Sequence, residues 1–209
     1  MINKIIVLGM ILFTILSNAQ TKAVTENGDE VILYKDNSWR FVNDSLNVVI
    51  EILKNDEIFL KDSNSSFLVK SSKTDIGVWL NPKKWNFTKA KTDSPAEFTF
   101  ENKDLDIYGM LITEKIEIPV ETLIGIAFEN AIEVSSDVQI IEKEYRNVNG
   151  LEVIMMKMKG SIQGVKFIYF GYYFSNLEGT YQFLTYTSQK QFDQFEDEML
   201  KLLNGFTEY

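Results

Sequence analysis

Two extended runs in the C-terminal third, "GVKFIYFGYYFS" and "GTYQFLTYTS", carry the densest apolar pattern in the chain. In the first, Val165, Phe167, Tyr169 and Tyr173 project to one side of a strand, and Ile168, Phe170, Tyr172 and Phe174 to the other. A strand with one wet face alternates apolar and polar residues, and this one is apolar on both sides. It is therefore expected inside a sheet that is covered on both faces. The rings then serve as core, not as a stacking platform for a ligand. The tyrosine hydroxyls still need partners, which places some of them at the sheet margin.

The rest of the C-terminal part alternates strands with two amphipathic helices. "FLVKSS" and "GVWLN" are short strands, and Pro82 breaks the chain before "KKWNF". "AEFTFEN" alternates apolar and polar residues, and "IYGMLITEKIEI" is a longer strand. After Pro119, the residues Leu123, Ile124, Ala127, Phe128, Ala131 and Ile132 form one broad apolar helix face. "VQIIEKEYRNV" and "LEVIMMKMKG" flank Asn149-Gly150, a strong hairpin signal, and the two aromatic runs form a second hairpin around "NLEG". A closing helix carries Phe192, Phe195, Met199, Leu202 and Phe206 on one stripe. Asp193, Glu196 and Asp197 point outward, and the run "EDE" at 196–198 reads as a wet face. Strands, helix, two hairpins and helix predict an α+β fold, an antiparallel β-sheet sandwiched between helices.

Upstream, "TENGDEVILYKDNSWRFV" reads as a β-hairpin module within 20–44. Its strands are "EVILY" and "WRFV", with turns at Asn27-Gly28 and "KDNS". Strands this short must dock on something to persist. The module resembles a hairpin that follows the signal peptide in exported bacterial proteins, with Asn37-Ser38 where Asp-Gly is usual before the tryptophan. Residues 45–66 form a connector that is helix or strand. Leu46, Val49, Ile50 and Leu53 fit a helical stripe, whereas "VVIEI" fits a strand, and "KDSNSS" ends the connector as a polar boundary. Residues 1–19 read as a signal peptide. Lys4 precedes an apolar run over 5–16, too short to span a bilayer, and "SNA" then sets cleavage following Ala19 and a mature start at Gln20. The principal domain is expected over 67–209.

Composition narrows the chemistry. With 209 residues, 45% of them hydrophobic, the chain can bury a sizeable core. Its net charge of −9 repels phosphate backbones and argues against nucleic acid as a partner. Cysteine is absent, so there is neither a disulfide nor a lipid-anchoring cysteine. Histidine is absent too, which excludes the usual zinc and haem sites and the histidine-dependent nucleophilic triads. Carboxylate chemistry, a Ser-Lys pair and oxygen-ligated calcium remain. Asp104 and Asp106 share one side of an extended segment and could bind a cation, but a calcium loop's glycine and further acids are missing. Ser71, Ser72 and Lys73 would point to alternating faces of a strand. Trp79 and Trp85 could line a carbohydrate or peptide site, or pack around the Pro82 turn. No residue forms a catalytic motif, and no cofactor is expected.

The 67–206 region resembles the PsbP-like α/β/α sandwich family, which includes bacterial envelope proteins of the DcrB type. The resemblance rests on "NPKKW", the Pro-initiated helix, "NGLEV" opening a hairpin, "GTYQFLTYT" and a closing helix ending in "LLNGF". These positions mark turns and core. The resemblance implies an accessory or partner-binding role, although fold alone does not transmit function. Envelope relatives are often lipoproteins, and this chain lacks the cysteine that role needs. The expectation is an exported, periplasmic or secreted, non-enzymatic module with no transmembrane segment in the mature chain, binding a protein or amphiphilic partner. The alternative is a carboxylate-dependent hydrolase or lyase acting on an envelope polymer.

Overall fold

A computed structural model describes residues 21–24, 30–33, 39–41, 52–91 and 93–209. The expected signal peptide lies outside the described residues, as do both turns of the N-terminal module and the connector up to residue 51. The chain divides into two compact units, Met1–Ile50 and Glu51–Tyr209. In the first, β1 (Thr21–Val24), β2 (Glu30–Leu33) and β3 (Trp39–Phe41) form an antiparallel sheet in the order β1-β2-β3. The strands β2 and β3 match the two strands expected there, and β1 adds a third.

Among the described residues, the second unit holds two sheets and two helices. Its large sheet has eight strands, in the order β4 (Leu53–Phe59), β10 (Gln139–Val148), β11 (Leu151–Ile162), β12 (Val165–Asn176), β13 (Gly179–Ser188), β9 (Tyr108–Glu114), β8 (Ala96–Asn102) and β7 (Trp85–Lys89). A second sheet of three runs β14 (Phe206–Glu208), β6 (Ile76–Leu80), β5 (Phe67–Lys70). The helices are α1 (Val120–Val134) and α2 (Phe192–Leu203).

The aromatic strand β12 lies between β11 and β13, and every residue from Phe167 to Tyr173 is buried. On one face Phe170 and Tyr172 join Phe183, Leu111 and Phe100 in a single core. That core is closed by Phe192, Phe195, Met199 and Leu202 of α2 together with Val78 of β6 and Phe206 of β14. On the other face Ile154, Met156, Tyr169 and Tyr173 are buried. The helix α1 packs on β11 and β12 and buries Leu123, Ile124, Ala127 and Ala131. Leu123 and Ile124 each contribute about 1.5–3 kcal/mol by leaving water, and each alanine less. The Tyr172 hydroxyl donates to Asn204 Oδ1 at 2.7 Å, whereas the buried Tyr173 hydroxyl has no hydrogen-bond partner among the described residues. The Asn149-Gly150 turn forms as expected, with φ of 51° and 90°, the left-handed pair of a tight hairpin.

Three expectations are corrected. The large sheet is mixed, because β4 runs parallel to β10. It is also not simply sandwiched between helices: the runs "FLVKSS" and "GVWLN" leave it and form the small second sheet, which shares one face with α2. The unit is therefore richer in β-structure than a plain α/β/α sandwich. Finally, Phe206 is not helical. The helix stops at Leu203, and at Gly205 the chain passes so close to β6 that a Cβ would meet the Trp79 carbonyl oxygen at 1.9 Å. Gly205 accepts the Trp79 N–H at 2.8 Å, and Phe206 then pairs with Val78 in β14. Among the described residues no helix is long and apolar enough to cross a membrane.

Candidate functional site

The turn at Pro82 brings lysine, tryptophan and a buried carboxylate together. The N–H groups of Lys84 and Trp85 both donate to the Asn81 carbonyl at 3.0 Å, which aims the two side chains at α2. There Glu198 receives the Lys84 ammonium on Oε2 and the Trp85 indole N–H, at 3.2 Å, on Oε1. Glu198 is only 8% exposed, so the reading of 196–198 as a wet face is corrected at this residue. The spacing held the signal: Glu198 is three residues from Phe195 and four from Leu202, on the apolar stripe. Trp85 is core, and half-buried Trp79 carries the Lys61 ammonium 5.0 Å from its ring centre.

Beside this pair lies a cavity of about 70 Å³, lined by Asp62, Lys84, Glu198 and Lys201 among others. Two carboxylates therefore face one space. The Asn64 backbone N–H, donating at 2.9 Å, holds the Asp62 carboxyl below its ordinary value against slight burial, with help from the Asn64 side chain and the nearby Lys201 and Lys84 charges. Asp62 is thus poorly suited to donate a proton. Glu198 is occupied by two donors, and the space holds about two water molecules. A substrate pocket is typically several times larger.

The other candidates fall elsewhere. Asp104 and Asp106 are exposed in the turn between β8 and β9, where the Asp104 N–H donates to Asn102 Oδ1 and the Asp106 carbonyl accepts the Thr187 hydroxyl. Among the described residues no group of three or more acidic side chains gathers to hold a metal ion. Ser71, Ser72 and Lys73 lie in a bend after β5, not on a strand. The Ser71 hydroxyl donates to Glu97 Oε2 at 2.7 Å, and the Ser72 N–H and hydroxyl donate to Oε1 at 2.6 and 2.8 Å. Lys73 turns away to the Thr113 carbonyl, so no Ser-Lys pair forms. Burial raises the Glu97 pKa, but these hydrogen bonds outweigh it and hold the carboxyl below its ordinary value. Two further buried cations are met by carboxylates, Arg146 by Glu144 and Lys157 by Glu142 and Glu196.

What remains is a surface. Phe67 begins β5, the end strand of the small sheet, and Phe87 lies on β7, the end strand of the large one. They are 44% and 40% exposed, with ring centres 5.5 Å apart, and Phe87 also meets Phe98 at 6.2 Å. The sequence around them is rich in lysine. Residues 61–91 hold seven lysines against two aspartates, a net +5 inside an acidic chain. Among the described residues only Lys84 of the seven makes an ion pair. Charge counted over the whole chain hides this segment, whereas a sliding count along the sequence exposes it.

No protein-family model matches the chain, and no curated protein matches its sequence. Solved structures do. Cyanobacterial PsbP from Synechocystis superposes with a TM-score of 0.51 at 17% identity, over 71% of this chain and 95% of that one. A protein of unknown function from Pseudomonas aeruginosa gives 0.40 at 10% identity, over 63% of this chain and 89% of that one. A structure from Bacteroides thetaiotaomicron gives 0.47 at 9% identity, over 69% and 49%. The cyanobacterial likeness shows the fold: it is PsbP-like.

Proposed function

We propose that this is an exported, non-enzymatic binding module for a protein or amphiphilic partner of the bacterial envelope, docking through the rim that Phe67 and Phe87 form. The exposed ring pair carries this reading. Paired aromatics left in water where two sheets end have the composition of an interface centre, and the lysines of the same segment suit its polar rim. The filled core supports it from the other side, since both faces of the central strands of the large sheet are packed. The accessory role implied by the PsbP-like resemblance points the same way. Export follows from the N-terminal pattern, with cleavage after Ala19. Intact-mass measurement of the native protein should give a chain starting at Gln20, and a chain retaining Met1 overturns export by this route.

Docking is tested with a photoreactive phenylalanine analogue at position 87, irradiated in native envelope extract. A discrete adduct is expected, and it should disappear when Phe67 is replaced by serine. An equal adduct from a probe at Ile126, exposed on α1, would show that the rim is not special. The hydrolase or lyase alternative would rest on Asp62 and Glu198, the two carboxylates sharing the small cavity. Turnover of an envelope polysaccharide that Glu198→Gln abolishes would establish it in place of the binding reading.

A further inference from the structure

The backbone of β7 says how a partner would sit on this rim, and this inference rests on the docking reading above. The Ala90 N–H donates to the Glu97 carbonyl and the Lys103 N–H to the Lys84 carbonyl. With Phe87 opposite Phe100 and Lys89 opposite Phe98, the even residues of β7 make the ladder to β8. The N–H and C=O groups of Phe87 and Lys89 therefore point away from the sheet. β7 is the last strand in the order, and Asn86 through Lys89 are exposed. Such an edge is a template for one more strand.

We propose that β7 binds an extended acidic segment of a partner protein as a ninth strand of the large sheet. Its backbone would bond to Phe87 and Lys89, and one of its apolar side chains would rest on the Phe67–Phe87 pair. The charge of the edge selects the chemistry. Lys83, Lys89 and Lys91 line or flank β7, with no acidic residue from 83 to 91. The Lys89 ammonium donates to the Ser72 hydroxyl at 3.2 Å and has no carboxylate partner among the described residues. A second copy presenting the same edge would set lysine against lysine, which like-charge repulsion disfavours.

The test uses proline as a backbone probe. Lys89→Pro removes an outward donor and leaves the ladder to β8 intact, a position where edge strands tolerate proline. Lys89→Ala removes the charge and keeps the donor. Binding of a synthetic acidic peptide of about ten residues, glutamate alternating with valine and tyrosine, is measured by NMR titration of the full chain. The wild type should bind and show slowed hydrogen exchange at Phe87 and Lys89. Lys89→Pro should bind about tenfold more weakly than Lys89→Ala, the effect of one backbone hydrogen bond. The same peptide with alternate amides N-methylated should not bind. Equal weakening in the two variants, or binding without protection at Phe87 and Lys89, would reduce the edge to a patch of charge and overturn strand addition. So would no binding at all, in which case the lysines only guard the edge. Anionic phospholipid vesicles bound in place of the peptide, or self-association that Lys89→Pro abolishes, would identify a different occupant. A photoadduct at position 87 with no peptide binding rejects the added strand alone, whereas loss of both rejects the docking reading as well.

Discussion

Asn149 ties three parts of the second unit through one side chain. Its Nδ2 donates to the Asn204 carbonyl at 2.8 Å and the Phe206 carbonyl at 2.7 Å, while its Oδ1 accepts the Lys61 N–H at 3.0 Å. The turn needs a left-handed residue at this position, and asparagine supplies both the conformation and the amide. Asn149→Gly keeps the first and deletes the second. It should cost about 3 kcal/mol, the sum of three ordinary hydrogen bonds, read as a lower denaturation midpoint. A midpoint within error of wild type would make the amide a bystander. On β12, Phe167 is 6% and Phe170 1% exposed, on opposite faces of the sheet. Phe167→Asp and Phe170→Asp each put an unpaired carboxylate in a core, at a cost of several kcal/mol against a typical total of about 5–15. Both variants should fail to fold, and a near-native melt for either one would mark that face as open. This two-sidedness was legible because side-chain parity is local. The burial of Glu198 was less so, since its partners Lys84 and Trp85 lie more than a hundred residues away in sequence.

Among the elements, β8 links the two sheets. Its register against β9 shifts between Ala96 and Phe98, at Glu97, whose carboxylate takes three hydrogen bonds from the bend after β5. The Glu97 pKa is lowered in the fold, so ionisation adds stability that is present above the unfolded value, near 4.3, and lost as pH falls through the folded value. Glu97→Gln should be less stable than wild type at neutral pH, and the gap should close below about pH 4. Parallel pH-dependent melts check this, and a gap that stays constant would place the effect in packing. Helices were the easier elements to read, because α1 and α2 each repeat their stripe over several turns. The strand β4 was harder. Leu53 and Ile58 are exposed, so these apolar residues do not report its pairing, and its parallel bond to β10 spans the whole intervening chain. The spacing of Leu202 and Phe206 imitated another helical turn, and only the close approach of Gly205 to Trp79 ended it.

For the whole molecule, the absence of histidine and cysteine, and the lack of a gathered acidic group among the described residues, lead to a simple expectation. Treatment with EDTA should leave the melting temperature unchanged. A fall of several degrees would indicate a bound hard cation, and Asp104 and Asp106 would be the first residues to replace. The PsbP-like architecture could be read from turn and core positions, whereas the exposed Phe67–Phe87 rim could not, because edges are made by topology. The concentration of lysines around β5, β6 and β7 has a kinetic consequence. With +5 in residues 61–91, the remainder of the chain carries −14, so the −9 total conceals two regions of opposite sign. An acidic partner approaching the second unit should be drawn toward this lysine-rich segment. It should be turned in flight so that the β7 edge meets it first, before any contact forms. Its association rate should then fall steeply as salt is added while its dissociation rate changes little, a pattern that stopped-flow measurements over a range of ionic strengths would reveal.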